Sequence, residues 1–155
     1  MFHIDAHADE AGLPLRLRPG GAPSLVHERL RESNSRSSRV MRELRGTPAD
    51  SEVPVEVYAF EGERLAGGVV GHAWAHWLHV ELLWVDGELR GSGLGSRLLA
   101  TAEEQAREKH GCVGSRVETF DFQASGFYAK QGYTLIGTVE DYPPGSSDHL
   151  FVKCL

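Results

Sequence analysis

The residues best placed to do chemistry lie between positions 81 and 96. Glu81-Leu82-Leu83-Trp84-Val85 reads as a strand, and after five more residues Gly91-Ser92-Gly93-Leu94-Gly95-Ser96 opens a helix. Glycines let a backbone approach a ligand closely and turn its N–H groups toward it. The helix behind them offers four unpaired N–H groups and a positive dipole end. Together they describe a phosphate site. A Walker loop needs GxxxxGK followed by Ser or Thr, and the chain has no such lysine. The dinucleotide fingerprint GxGxxG fits poorly: its third glycine position is Ser96, and Asp86-Gly87-Glu88-Leu89-Arg90 separates the strand from the loop. His72, His76 and His79 invite a metal, but on a regular strand His72 and His76 share one face and His79 the other. No Cys or further acid completes a set, so no metal is expected.

The elements that must position these residues follow from periodicity. Residues 1–14 are polar and aperiodic and are expected to be a flexible tail, with His3, Asp5, His7 and Asp9 held in no geometry. The domain is expected to span 15–155, starting with a short edge strand at Leu15-Arg16-Leu17-Arg18. From Pro23 to Arg45 the pattern is helical, split near Ser33 to Ser38; its six arginines make a solvated face or a site for an anionic group. Period-two alternation then predicts strands over 53–60, 64–77 and 78–85. A helix over 94–109 carries Leu94, Leu98, Ala102 and Ala106 at i, i+4 spacing. A strand over 113–119, a helix over 122–130 and strands over 133–139 and 150–154 complete a single α/β domain, a mixed central sheet flanked by helices. Trp74, Trp77 and Trp84 are expected to pack in the sheet.

Composition sets the class. At 155 residues the chain should bury about 68–70% of its unfolded surface, enough for a core. With 41% hydrophobic and 25% charged residues it is an ordinary globule. No apolar run approaches the roughly 18 residues of a membrane span. The start lacks a secretory pattern and the two cysteines, Cys112 and Cys154, form no framework, so a cytoplasmic protein is expected. A net charge of −6 argues against nucleic acid and suits a cationic partner.

Three segments then resemble a known family. Arg90-Gly91-Ser92-Gly93-Leu94-Gly95 resembles the Q/R-x-x-G-x-G/A pyrophosphate loop of the GNAT superfamily of N-acetyltransferases. Ala124 to Tyr133, with Tyr128, Lys130 and Gly132, is similar to its second signature, A-x-x-x-Y-x-K-x-G-F/Y. The end of the chain, Glu140-Asp141-Tyr142-Pro143-Pro144-Gly145 and Phe151 to Leu155, resembles one bacterial branch of small acetyltransferases. The resemblance implies the GNAT fold, acetyl-CoA as donor and an amine as acceptor. It implies that the strand before the loop splays from its neighbour. Backbone groups of Leu83, Trp84 and Val85 would then pair with the pantetheine arm, while Arg90, Gly91, Ser92, Gly93, Leu94, Gly95 and Ser96 cradle the pyrophosphate. Where the family often has Asn near the cofactor, this chain has Asp121, whose charge opposes the CoA phosphates.

The reaction so implied has an energetic demand. A lysine-like amine of pKa about 10.4 costs about 4.6 kcal/mol to deprotonate at pH 7. Glu81, which on a regular strand would share a face with Leu83 and Val85, is the candidate base or amine anchor, directly or through water. Tyr128 matches the family tyrosine near the CoA sulfur. A phenol of pKa ~10 protonates a thiolate of conjugate pKa ~8.5 only uphill, so Tyr128 needs a lowered pKa or acts by hydrogen bonding. The sequence therefore reads as an N-acetyltransferase acting by direct amine attack, with a non-catalytic acetyl-CoA-binding sensor or interaction module as the alternative. The acceptor would be a cationic small molecule or peptide amine, and a homodimer is compatible with the family.

Overall fold

The computed structural model describes residues 20–155. The expected tail and the strand at Leu15 to Arg18 lie outside the described residues. Pro23 starts α1 (Pro23–Ser37), and α2 (Arg39–Leu44) follows where Ser38 turns extended and its hydroxyl accepts the Met41 N–H at 3.3 Å. Neither helix holds a buried residue. The six arginines find local partners. Arg31 and Arg45 clamp Asp50 at 2.8 Å each, Arg29 and Arg36 face Glu32, Arg39 meets Glu43, and Arg42 donates to the Ser35 carbonyl. The solvated-face reading therefore accounts for them.

Six strands follow, β1 (Val53–Glu61), β2 (Arg64–Trp74), β3 (Trp77–Val85), β4 (Gly114–Phe120), β5 (Thr134–Glu140) and β6 (Ser147–Cys154), in the order β1-β2-β3-β4-β6-β5. Only β3 and β4 run parallel; the other pairs are antiparallel. The helix α3 (Leu94–His110) supplies the crossover between them and lies against β1, β2 and β3. Its Leu98, Leu99, Ala102 and Ala106 meet Val55, Val69, Ala73, Leu78, Val80 and Val117 in the core. This is the inner face of the sheet. Among the described residues no helix is long and apolar enough to cross a membrane.

Three expectations are corrected. The hairpin between β2 and β3 turns at Ala75 and His76, both at positive φ (49° and 64°), as a two-residue I′-type turn requires. The run predicted over 64–77 therefore ends at Trp74, and His72 pairs with His79 across the hairpin on the outer face, not on opposite faces. The helix predicted from 122 begins only at Ser125 as α4 (Ser125–Lys130). The Gln123 side chain accepts the Phe120 N–H and the Thr119 hydroxyl, each at 3.2 Å, and so ties the preceding turn to the strand.

A bulge shapes β3. Val70 of β2 faces Leu82 and Gly71 faces Val80, so Glu81 is the extra residue. Leu78 and Val80 point inward, and after the bulge Leu83 and Val85 do so as well. Glu81 stays on the outer face, and it is Leu83 and Val85, which regular alternation would group with it, that turn inward. Gly71 makes this possible, since a Cβ there would stand 2.2 Å from the His79 carbonyl oxygen. Gly71→Ala should cost about 2–3 kcal/mol in a urea melt, the cost of forcing side chain into filled space. Gly87→Ala, with nothing within 4 Å of the new methyl, should leave the midpoint nearly unchanged. Equal midpoints for the two variants would refute the steric account.

Candidate active site

β3 pairs with β2 along its whole length but with β4 only through Trp77–Val80. The last parallel pair is Val80 with Val117; beyond it β3 continues through Glu81 to Val85 and β4 through Glu118 to Phe120 without pairing to each other. Among the described residues, the edge of Leu83, Trp84 and Val85 that faces β4 thus has no strand to bond. Backbone N–H and C=O groups without a partner are costly unless water or a ligand satisfies them, so this edge is open to pair with an extended ligand.

The glycine loop lies at the end of that edge. Asp86 to Leu89 form a 3₁₀ turn in which Asp86 caps the Glu88 N–H at 3.0 Å, and Arg64 reaches across to Asp86 and Glu88 at 2.8 and 3.1 Å. Arg64, first through its bond to Asp86, keeps its own pKa raised, and Asp86 is held below the usual carboxylate range. Arg90 donates back to the Val85 carbonyl at 3.3 Å, and the Ser92 hydroxyl to that of Leu89 at 2.6 Å. Gly91 and Gly93 adopt positive φ (78° and 86°), with open space around both. Gly93 is the N-cap of α3 and among the described residues no side chain caps the first turn, which leaves the N–H groups of Leu94, Gly95 and Ser96 open to an acceptor. An anionic pyrophosphate with an extended arm fits this combination.

Glu81 and His72 meet on the outer face. Glu81 Oε1 is 2.9 Å from His72 Nδ1, and the His79 ring stacks on His72 with centroids 4.7 Å apart. Beside them a cavity of about 310 Å³ opens over the outer face, lined by Trp74, Trp77, His79, Arg116, Leu150 and Val152. That volume is at the lower bound for small-molecule pockets. Trp74 and Trp77 are half-buried walls of this outer cavity, and Trp84 is exposed, so none of the three belongs to the inner core.

Tyr128 is 4% exposed, packed among Phe127, Tyr133 and Phe151. Burial pushes its phenol up to about 12, away from the lowered pKa that direct proton donation to a thiolate needs. Asp121 has a local partner: its carboxylate accepts from the Ser146 hydroxyl, and its N–H bonds the Ser147 carbonyl at 2.9 Å. The Ser146 bond, first among several, holds it below the usual range, so it stays charged and fastens the loop between β5 and β6. Among the described residues no group of three or more His, Cys, Asp or Glu could hold a metal ion. Burial raises the Cys112 thiol, away from a nucleophilic thiolate.

Sequence reasoning missed Glu103. On α3 it is buried with the apolar stripe, and its carboxylate takes the Tyr133 hydroxyl at 2.8 Å and the Lys153 ammonium at 2.6 Å. Ser115 of β4 completes the network at 2.8 Å from the Tyr133 oxygen. The signal was present in the i, i+4 step from Leu99 to Glu103.

The match to known proteins agrees with this geometry. The acetyltransferase (GNAT) family profile matches residues 23–133. A blasticidin-S acetyltransferase of Streptomyces morookaense is 57% identical over 129 residues, covering 81% of this chain and 95% of that one. The crystal structure of an acetyltransferase from Bacillus cereus ATCC 14579 superposes with a TM-score of 0.73 at 34% identity, over 91% of this chain and 98% of that one. A protein from Bacillus anthracis assigned as a streptothricin acetyltransferase, solved with acetyl coenzyme A, shares the fold at 21% identity and a TM-score of 0.58, over 74% and 67% of the two chains.

The buried network anchors the helix that carries the loop, and its energetics can be read directly. Lys153→Met should cost about 2–3 kcal/mol in urea unfolding, because it strands a mostly buried carboxylate. Adding Glu103→Gln, which keeps an acceptor for Tyr133 without the charge, should restore most of the loss. A double variant no better than the single one would show that the ion pair is incidental.

Proposed function

This chain belongs to the acetyltransferase (GNAT) family, an acetyl-CoA-dependent N-acetyltransferase, and from that premise we propose that it acetylates a primary amine of a small cationic molecule by direct attack on the thioester. The observation that carries the proposal is the end of β3–β4 pairing at Val80 and Val117, one residue before Glu81. It leaves the free edge of Leu83, Trp84 and Val85 for the pantetheine arm. Residues 90–96 take the pyrophosphate through the Gly91 and Gly93 turns and the uncapped first turn of α3. Acetyl-CoA supplies the acetyl thioester; the chain supplies its placement.

The acceptor enters from the outer face. Glu81 meets the ammonium there, as anchor or as base, and the aromatic cavity beside it takes the rest of the molecule. Relatedness to a blasticidin-S acetyltransferase supports blasticidin S, or an amine antibiotic of comparable size, as the acceptor to try first. An N–H of Leu83, Trp84 or Val85 polarises the thioester carbonyl, an oxyanion contact. Tyr128, with a phenol that stays protonated, donates a hydrogen bond to the developing thiolate without surrendering its proton. Asp121 fastens the β5–β6 loop through Ser146.

Acetyl-CoA at a hundred times its Kd should add about 2.7 kcal/mol of stability, visible as a rise in Tm that NADH and ATP do not give. Thiol release with blasticidin S and a panel of amines then reports turnover. Tyr128→Phe should lower kcat about ten- to hundredfold, the worth of one charge-assisted hydrogen bond. Glu81→Gln should lower kcat/KM about a hundredfold or more and leave acetyl-CoA affinity intact. Acetyl-CoA binding without turnover of any amine would make the chain a binding module instead.

A further inference from the structure

We propose that His72 is a catalytic residue that receives the acceptor's proton, and that Glu81 is the carboxylate that positions it. The proposal rests on the acetyltransferase reading above and assigns the proton within that site. Glu81 Oε1 lies 2.9 Å from His72 Nδ1. An ionised carboxylate only accepts hydrogen bonds, so this contact places the imidazole hydrogen on Nδ1. The neutral ring then carries its basic lone pair on Nε2. A carboxylate that fixes a histidine tautomer and supports the imidazolium is a recurring arrangement for general-base catalysis.

Three features hold the ring in place. Glu81 stands at the bulge on the same outer face as His72 of β2, within hydrogen-bond distance of its ring. His79, the register partner of His72, stacks on it with an interplanar angle of 19°, and Trp74 meets His79 edge-on at 6.4 Å. The charged groups around the pair are Glu81 and His79 on β3, Glu52 and Glu56 at the start and outer face of β1, and Arg116 with Glu118 on β4. Burial, then His72, then Arg116 keep His79 below the usual histidine range, so it stays neutral and serves as a stacking surface. That leaves His72 as the imidazole with a carboxylate partner.

The chemistry favours an imidazole over a carboxylate. An ordinary glutamate titrates about two units below an ordinary histidine, so the imidazole is ~100-fold the stronger base for an ammonium proton. The ammonium gives one proton to Nε2 of His72, and the freed lone pair forms the N–C bond at the thioester carbonyl. The C–S bond breaks, the nitrogen's second proton goes to the departing CoA thiolate, and the imidazolium returns its proton to solvent. The products are the acetamide, CoA thiol and one proton.

Two measurements test this. In kcat/KM against pH with an amine that turns over, His72→Gln should lose about a hundredfold in kcat at unchanged acetyl-CoA affinity, and its acidic limb should vanish. Glu81→Gln should lower kcat but keep the limb, since the imidazole that takes the proton is still present. A His72→Gln variant within fivefold of the parent with its limb intact would overturn the proposal and return the base role to Glu81. Imidazole ¹⁵N shifts of the free protein, read without any substrate, should show His72 as the Nδ1–H tautomer; the Nε2–H tautomer would overturn the proposal even if turnover were normal. If no amine is acetylated while the Nδ1–H tautomer is found, it is the transferase reading that has failed, and with it the catalytic role of the pair.

Discussion

The single extra residue in β3 governs the site. A strand that pairs on both sides must keep its alternation, and β3 gives up both constraints within two residues. At Val80 it loses β4, and at Glu81 it slips one place against β2. The slip keeps Leu83 and Val85 on the core while presenting Glu81, Leu82 and Trp84 outward. Without it, the inward positions would continue as Leu82 and Trp84, and the stretch that lines the gap would be out of phase with the core. Gly71 is the condition for the slip, because the His79 carbonyl occupies the place of a side chain there.

The second constraint is the position of α3. Its N-terminus must stay at the mouth of the gap, and apolar packing alone would let a helix of small residues such as Ala102 and Ala106 slide. Glu103 removes that freedom through directional bonds to Tyr133 and Lys153, and Ser115 ties the same cluster to β4. Gly67 lets the helix approach closely, with a would-be Cβ only 3.0 Å from Leu98 Cδ1. A buried ionic cluster is expensive in desolvation, but it has one geometry, which packing of methyl groups does not.

Local patterns were legible because local physics writes them. The i, i+4 stripe of α3, the glycine turn before it and the alternation of β1 and β2 each depend on near neighbours in the chain. Capping by Ser38 fell within the serine-rich stretch that marked a break between α1 and α2. What the pattern could not show was pairing at a distance. The bulge at Glu81 depends on Gly71 ten residues earlier, and the His72–His79 stack depends on a turn made of Ala75 and His76, two non-glycine residues at positive φ. In the linear motif Asp121 could be read only against the cofactor, because its partner, Ser146, lies 25 residues away.

The sheet has two faces with separate duties, and that separation bears on how such a protein changes over generations. The inner face holds the helix, the core and the support for the glycine loop. The outer face, with Val70, Leu82, Trp84, Arg116 and Leu150, contributes little to that packing. Replacements there draw on a different reserve of free energy from those that hold the fold, so the outer face can change while the inner one is inherited unchanged, and selection can act on residues whose loss the fold hardly feels.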